Sequence, residues 1–321
     1  MDRTKEILTC LRNAVDYVSG GAIARQMGIS RTAVWKHIKT LERMGYTITA
    51  LQGKGYKLSG IPDRLYPWEI EHHMQTRSMG RKIIHRDTIE STNALAFSYG
   101  LEGAEEGTCV IAEQQTAGRG RLGRPWFSPS GKNIYMSLIL RPGVSPQDVY
   151  PLTFVSSLAI YDTIRILTGQ EPTLKWPNDV LMGGRKVCGT LLEISTEADR
   201  VSCVIVGIGF NINMKEDEVD EAIRQKATSL FMETKKEYER AAVCGMLLTN
   251  LEKYYLIFKD HGGREICAVW EERSGIKGKH MEIVQNDVRY EGVSEGIGPD
   301  GSLLLNVNGS IIKIISGDVS F

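Results

Sequence analysis

Three arginines and three glycines fall between Gly118 and Arg124, inside the run Thr116-Ala117-Gly118-Arg119-Gly120-Arg121-Leu122-Gly123-Arg124-Pro125-Trp126. No apolar period passes through this stretch, so it reads as a loop. Glycine lets a backbone come close to a ligand, and arginine offers a fork of donors to a carboxylate or phosphate. The chemistry on offer is anion handling, although a basic loop can also be merely solvated. Gly118 to Gly123 spells G-x-G-x-x-G, the dinucleotide fingerprint, but that motif needs a helix opening behind it. Pro125-Trp126-Phe127-Ser128-Pro129 follows instead, and no G-x-x-x-x-G-K-[ST] motif occurs. A nucleotide, if bound, is held without either of the two commonest phosphate loops.

Other chemistry-bearing residues stand at the ends of regular elements. Lys175-Trp176-Pro177-Asn178-Asp179 places an ammonium, an amide and a carboxylate at a strand end, where sites are usually built. Lys186 lies beside a small, mostly apolar strand through Gly189 and is either a surface lysine or a ligand clamp. Ser91-Thr92-Asn93 precedes an apolar helical segment; these residues either cap that helix or face a ligand at its free N–H groups. The adjacent pair His72-His73 does not share a helix face and reads as surface rather than metal ligation.

The elements that position these groups follow from periodicity. Residues 4–18 carry a helical stripe; Ser19 caps a short helix to Met27, Gly28 turns, and Ser30 caps a third helix from Arg31 to Met44. That is a helix-turn-helix, with Thr47 to Leu58 as a hairpin wing around Gly53-Lys54-Gly55. Ser30, Arg31, Thr32, Trp35, Lys36 and Lys39 form the expected DNA-contacting set. Pro67 opens a short helix through Met74, and a strand covers 82–85. Strands are expected over 108–113, 134–140, 185–194 and 201–210, and helices over 146–167 and 236–258. Between 211 and 230 a long loop reads as a lid, and 279–321 reads as a small β-barrel.

Charge is distributed unevenly. The chain of 321 residues has zero formal net charge, but residues 1–60 hold ten Lys/Arg against four Asp/Glu, a net +6. A basic module on a mildly acidic body suggests a polyanion partner. The six cysteines show no C-x-x-C spacing, which fits a reducing compartment and argues against a disulfide frame or a protein-bound metal site. The polar N-terminus and the lack of an 18-residue apolar run lead us to expect a cytoplasmic protein with no membrane partner.

The winged helix-turn-helix, Ser91-Thr92-Asn93, the run from Gln115 to Trp126, Lys175-Trp176-Pro177-Asn178-Asp179 and Arg185-Lys186-Val187-Cys188-Gly189 occur in this order. Together they resemble the bifunctional biotin protein ligases that also repress the biotin operon, and the resemblance covers the whole chain. It implies an α+β fold with a central seven-stranded mixed sheet akin to class II synthetases and a C-terminal SH3-like barrel. The implied domains are 1–60 for DNA binding, 61–66 as linker, 67–272 for biotin/ATP binding and catalysis, and 273–321 as the barrel. The implied substrates are biotin, ATP with Mg²⁺, and a lysine of the biotin carboxyl carrier protein of acetyl-CoA carboxylase. Operator DNA and an adenylate-bound homodimer complete the set of partners. Carried over by position, Lys186, Arg121 and Asp179 are catalytic. Ser91, Thr92, Asn93, Gln115, Gly118, Arg119, Gly120, Trp126, Gly189, Gly207, Gly209 and Asn211 contact biotin or adenylate alongside Arg121 and Lys186. Leu122, Pro125 and Cys188 depart from the polar or small residues common there. Two alternatives remain open at this level: an effector-sensing repressor without ligase chemistry, and a lipoate-type ligase.

Overall fold

The computed structural model describes residues 3–197, 200–285 and 288–320. The chain divides into two compact units, residues 1–64 and 65–321.

In the first unit, α1 (Arg3–Arg12), α2 (Gly20–Met27) and α3 (Arg31–Arg43) precede a hairpin of β1 (Thr47–Leu51) and β2 (Gly55–Gly60). Helix α1 buries Ile7, Leu8 and Leu11 but ends at Arg12, short of the expected residue 18. Val18 leaves the helix because it is claimed by the wing. Its N–H donates to the Tyr56 carbonyl at 2.8 Å, and the Tyr56 N–H donates back at 2.9 Å. Val15, counted in the apolar stripe, is 96% exposed. Ser19 and Ser30 cap α2 and α3, accepting from the N–H groups of Ala22 and Ala33, each at 3.1 Å. Gly28 turns between the two helices at φ 66°, where a side chain would be strained. Helix α3 buries Val34, Ile38 and Leu41 and leaves Arg31, Thr32, Trp35, Lys36 and Lys39 exposed along the other side.

The second unit runs α4 (Pro67–His72), β3 (Ile83–Ile89), α5 (Thr92–Leu101), β4 (Cys109–Gln115), β5 (Ile134–Leu140), α6 (Leu152–Thr168), β6 (Thr173–Lys175), β7 (Asp179–Met182), β8 (Arg185–Glu197) and β9 (Arg200–Phe210). Its strands form a seven-stranded mixed sheet of order β3-β4-β5-β9-β8-β7-β6, in which β3 and β4 are parallel and the other neighbours antiparallel. Both faces are covered, so the central strands are apolar on both sides. Val204, Val206 and Ile208 of β9 join the main core, whereas Cys203 and Ile205 alternate to the other face, against Ala96 of α5.

Helices α7 (Leu230–Thr234), α8 (Arg240–His261) and α9 (Gly263–Ser274) follow. Then β10 (His280–Gln285), β11 (Val288–Ile297), β12 (Leu303–Val307), β13 (Ser310–Ile314) and β14 (Asp318–Ser320) form a five-stranded antiparallel sheet of order β13-β12-β11-β10-β14. The helix expected from residue 146 is in fact a 3-10 turn at Pro146–Asp148 followed by α6. Pro151 stands at the N-cap of α6; lacking an N–H, it cannot continue a helix from upstream.

A buried ion pair ties the unit together near its first residue. Arg240 Nη1 lies 2.9 Å from Glu113 Oε2, and both side chains are almost fully buried. Glu113 also accepts from the Leu65 N–H at 2.7 Å and faces His85 Nε2 at 3.4 Å. Burial alone would raise its pKa, but His85, Arg240 and the Leu65 N–H together hold it down at about 2.

Candidate active site

A cleft of about 810 Å³ opens over the glycine-bearing ends of β8 and β9. Gly189 and Gly209 are paired across these strands, with Gly207 two residues back on β9. Each glycine is needed for close approach. A Cβ on Gly209 would stand 2.3 Å from Cε2 of Trp126, and one on Gly207 would stand 2.0 Å from Asn93 Oδ1. One on Gly189 would stand 2.7 Å from Cε of Lys186.

The wall is the start of α5. Ser91 is both cap and lining residue: its side chain accepts from Ala94 N at 3.4 Å, and it reaches the cleft with Thr92 and Asn93. The helix start thus supplies a cap and a stretch of cleft wall together. Gln115, at the end of β4, accepts from Thr92 N at 2.9 Å and from Thr92 Oγ1 at 3.0 Å. Its Nε2 donates to Ser128 Oγ at 3.1 Å.

The Gly-Arg loop closes the cleft from above. It folds on itself: Gly120 N donates to the Arg124 carbonyl at 2.7 Å, and Trp126 N to the Gly118 carbonyl at 2.9 Å. A 3-10 turn at Arg121–Gly123 sits between, with Leu122 at φ 56° and 79% exposed. Arg119 is exposed, Arg121 Nη1 donates to Asn178 Oδ1 at 3.2 Å, and Arg124 Nη1 donates to Asp318 Oδ1 of β14 at 3.1 Å. Arg124 and, more weakly, Arg121 and Lys175 hold the Asp318 carboxyl below its usual range.

Lys186 is the central cation. Its Nζ lies 2.6 Å from Asp179 Oδ1 and 5.2 Å from the centre of a Trp126 ring. Its backbone is fixed too, donating to the Lys226 carbonyl at 2.8 Å and accepting from Thr228 N at 2.9 Å. Cys188, one strand position from the cleft glycine, is no nucleophile, because burial pushes its thiol well above the ordinary value.

Two of the expected residues also hold the scaffold of the site. Gly118 packs behind the loop, where a Cβ would meet Ser128 Oγ and the Trp126 carbonyl at 2.8 Å. Asn211 lines the cleft but anchors the loop that follows it, donating from Nδ2 to the Thr228 carbonyl at 2.9 Å. Residues 211–230 have a core of their own, in which buried Met214, Val219 and Ala227 pack with Met232 against Phe127 and Ile223. The apolar residues in that stretch are the signal that it folds.

Sequence reasoning also passed over residues that matter here. Asp318 reaches the site from nearly two hundred positions away, and nothing local in the sequence marks it. Ser137 is the lone polar residue in the buried run Ile134–Leu140, a usable signal since buried polar groups need partners. Its Oγ lies 2.6 Å from Asn93 Oδ1 and 2.8 Å from Thr92 Oγ1. Glu193 of β8 accepts from Asn93 Nδ2 at 2.7 Å.

A cleft with cations at one end, a tryptophan over a glycine floor and a hydrogen-bonding wall suits an organic acid activated by a nucleotide. Comparison with known proteins agrees. Residues 86–211 match the model of the biotin/lipoate A/B protein ligase family, and residues 3–57 match an HTH domain. The bifunctional ligase/repressor BirA of Bacillus spizizenii is 39% identical over 95% of this chain and 94% of that protein. Its Escherichia coli namesake is 29% identical over 98% of this chain and 96% of that protein. The structure of a biotin protein ligase from Aquifex aeolicus in complex with biotin and ATP superposes with a TM-score of 0.64 at 29% identity, covering 75% of this chain and 98% of that one. This chain belongs to the family of bifunctional BirA ligase/repressors.

Proposed function

We propose that the protein joins biotin to a lysine of the biotin carboxyl carrier protein of acetyl-CoA carboxylase in two steps, and that its adenylate-bound form dimerises and represses the biotin operon. In the first step a biotin carboxylate oxygen attacks the α-phosphorus of ATP. The bond from that phosphorus to the β-phosphate oxygen breaks, so biotinyl-5′-AMP forms and pyrophosphate leaves. Two anions must approach, so fixed cations lower the barrier by opposing charge that builds in the transition state. Lys186 and Arg121 take this role, with Arg119 and Arg124 available from the same loop. The observation that carries the reading is the convergence of Lys186, Asp179, Arg121 and Trp126 on one glycine-floored cleft.

In the second step the neutral amine of the carrier lysine attacks the carbonyl carbon of the mixed anhydride, and AMP leaves with the electron pair of the C–O bond. Asp179 accepts the proton lost from that amine once Lys186 has turned to the substrate oxygens. Trp126 and the Gly-Arg loop keep water from the anhydride. Ser91, Thr92, Asn93 and Gln115 hold the head of biotin, and residues 211–230 cover the adenine.

Among the described residues no group of three or more His, Cys, Asp or Glu could cage a metal, and the cleft carboxylates Asp179 and Asp318 already face cations. The residues therefore do not fit a resident ion; Mg²⁺ belongs with the triphosphate, and no step here runs through it. Residues 1–60 read the operator through the exposed side of α3, residues 61–66 link, 67–272 catalyse, and 273–321 form an SH3-like module that closes one end of the cleft. Among the described residues no helix is long and apolar enough to cross a membrane. Pyrophosphate release on adding biotin and ATP tests the first step. Release with lipoate but not biotin would favour a lipoate-type ligase, and release with neither would leave an effector-sensing repressor.

A further inference from the structure

Strand β8 leaves its ladder beside the central lysine. Val180 of β7 pairs with Cys188 and Leu181 pairs with Lys186, so Val187 is bulged out without a partner on β7. The backbone groups freed there are taken up from the other side, by the two ends of segment 211–230. Lys186 N donates to the Lys226 carbonyl at 2.8 Å, Thr228 N donates to the Lys186 carbonyl at 2.9 Å, and Asn211 N donates to the Val187 carbonyl at 2.9 Å. Lys186 and Ala227 thereby form a parallel bridge. Lys226 and Ala227 line the cleft together with Lys186. The placement of Lys186 and the closing end of the lid-like segment are thus one backbone arrangement.

One carboxylate oxygen locks that arrangement from behind. Thr228 is fully buried, and each of its polar atoms is engaged. Its N–H goes to Lys186, its carbonyl accepts from Asn211 Nδ2 at 2.9 Å, and its hydroxyl donates to Glu233 Oε1. The same Oε1 accepts from Arg185 Nη2 at 2.9 Å, and its two lone pairs serve both donors. Arg185 immediately precedes Lys186 on β8, whereas Glu233 belongs to α7, just after the segment. Gly183 gives the carboxylate room, since a Cβ there would stand 2.8 Å from Glu233 Oε2. Hydrogen bonds to an ionised acceptor are the stronger kind, and removing the acceptor would leave a buried hydroxyl unpaired.

We propose that Glu233 is a positioning residue for adenylation and for retention of the adenylate: by holding Thr228 and Arg185 on one oxygen, it fixes the end of segment 211–230 and the backbone of Lys186 in register. This rests on the reading of the cleft as an adenylating site. Glu233, Thr228 and Arg185 lie outside the cleft lining, so they act through Lys186 and the segment and not by touching substrate. None of the three belongs to α5 or β4, so binding of biotin alone is spared.

The experiment compares the wild-type chain with Glu233→Ala, Glu233→Gln, Thr228→Val and the pair Glu233→Ala with Thr228→Val. It measures single-turnover pyrophosphate release, the rate at which labelled adenylate escapes, and equilibrium binding of biotin without ATP. Glu233→Ala and Thr228→Val should each slow the first roughly tenfold and speed the second roughly tenfold, with biotin binding within about twofold of wild type. The pair should be no worse than Glu233→Ala alone, because both changes cut the same bond. Glu233→Gln keeps an oxygen for both donors and should stay within about threefold of wild type. Additive losses in the pair, Glu233→Gln as damaging as Glu233→Ala, or biotin binding that falls in step with the rates would each overturn the proposal, because those are the marks of general loosening. Thermal melting reports whether each variant folds, and Thr228→Val, which keeps the side chain's shape, carries the test if Glu233→Ala does not. A wild-type chain that forms no adenylate defeats the adenylating-site reading and this proposal with it. A wild-type chain that forms it, with variants matching both its rates, defeats this proposal alone.

Discussion

Replacing Lys186 by alanine removes the ammonium group that the account places against the reacting oxygens. Two unit charges about 4 Å apart interact by about 4 kcal/mol at an effective dielectric near 20, and by about 1 kcal/mol in water. The Lys186 side chain is 32% exposed, so the effect lies between those limits, at about 2–3 kcal/mol. That corresponds to about 30- to 150-fold in the rate of adenylation. The substitution has a second consequence. Asp179, whose Oδ1 lies 2.6 Å from Nζ, loses its cation and then repels the incoming carboxylate and phosphates. Neutralising it as well, in Lys186→Ala with Asp179→Asn, should therefore recover part of the loss in the first half-reaction, by about threefold to tenfold. It should not recover transfer to the carrier, where the proposed role of Asp179 is to receive the proton. A single-turnover assay with ATP labelled at the α-phosphate separates the two steps. Adenylation by Lys186→Ala within threefold of wild type, or a double variant worse than the single one in that step, would refute the reasoning.

Four further outcomes are expected. Gly209→Ala puts a Cβ 2.3 Å from the Trp126 indole, so the ring must leave its place beside Lys186; retention of the adenylate should fall at least tenfold with a melting temperature near wild type, as read by release of labelled adenylate. Arg240→Met strands a buried carboxylate and should cost about 3–5 kcal/mol in urea unfolding, whereas Arg240→Met with Glu113→Leu should recover most of it. The Glu113 pKa is lowered on folding to about 2, so its stabilising share is complete above the ordinary value of 4.5 and is lost as pH falls through about 2; the Glu113→Leu/Arg240→Met pair should flatten that acid limb of a melting curve. Operator binding should weaken steeply with salt, and Lys36→Ala with Lys39→Ala should lower the slope of log K against log salt by about one to two, as fluorescence anisotropy would read.

Much of this architecture is written locally. Ser19, Ser30 and Gly28 announce the first unit's helix ends because caps and left-handed turns act within four residues. The Gly-Arg loop and the run from Lys175 to Asp179 are legible for the same reason, since their chemistry lies in consecutive side chains. What was hidden depends on distant partners. Val18 continues an apolar stripe in sequence, yet Tyr56 draws it into a strand-like pairing. Helix α9 was not anticipated, because only Ile266, Cys267, Trp270 and Ser274 of its twelve residues are buried and the stripe is weak. The lid-like segment 211–230 gains order by docking on Lys186 and Phe127, neither of which is near it in sequence. Asp318 and Glu193 enter the site's electrostatics only when β14 and β8 are brought to it.

Helix α3 illustrates a limit of reading charge alone. Its exposed Arg31, Thr32, Trp35, Lys36 and Lys39 carry the positive bias that the sequence shows, but Lys39 Nζ lies 2.6 Å from Glu42 within the same helix. An exposed pair of this kind contributes little to stability and is readily exchanged for a phosphate. Similarly, Arg124 and Asp318 are both more than half exposed, so their contact shapes the mouth of the cleft more than it stabilises the fold.

The central claim is that this cleft activates biotin and passes it to a protein lysine. Incorporation of labelled biotin into purified biotin carboxyl carrier protein by the full chain measures that directly. The account predicts incorporation that requires ATP, releases one pyrophosphate for each biotin transferred, and is lost when the carrier's acceptor lysine is replaced by arginine. Absence of ATP-dependent incorporation by the wild-type chain would contradict it.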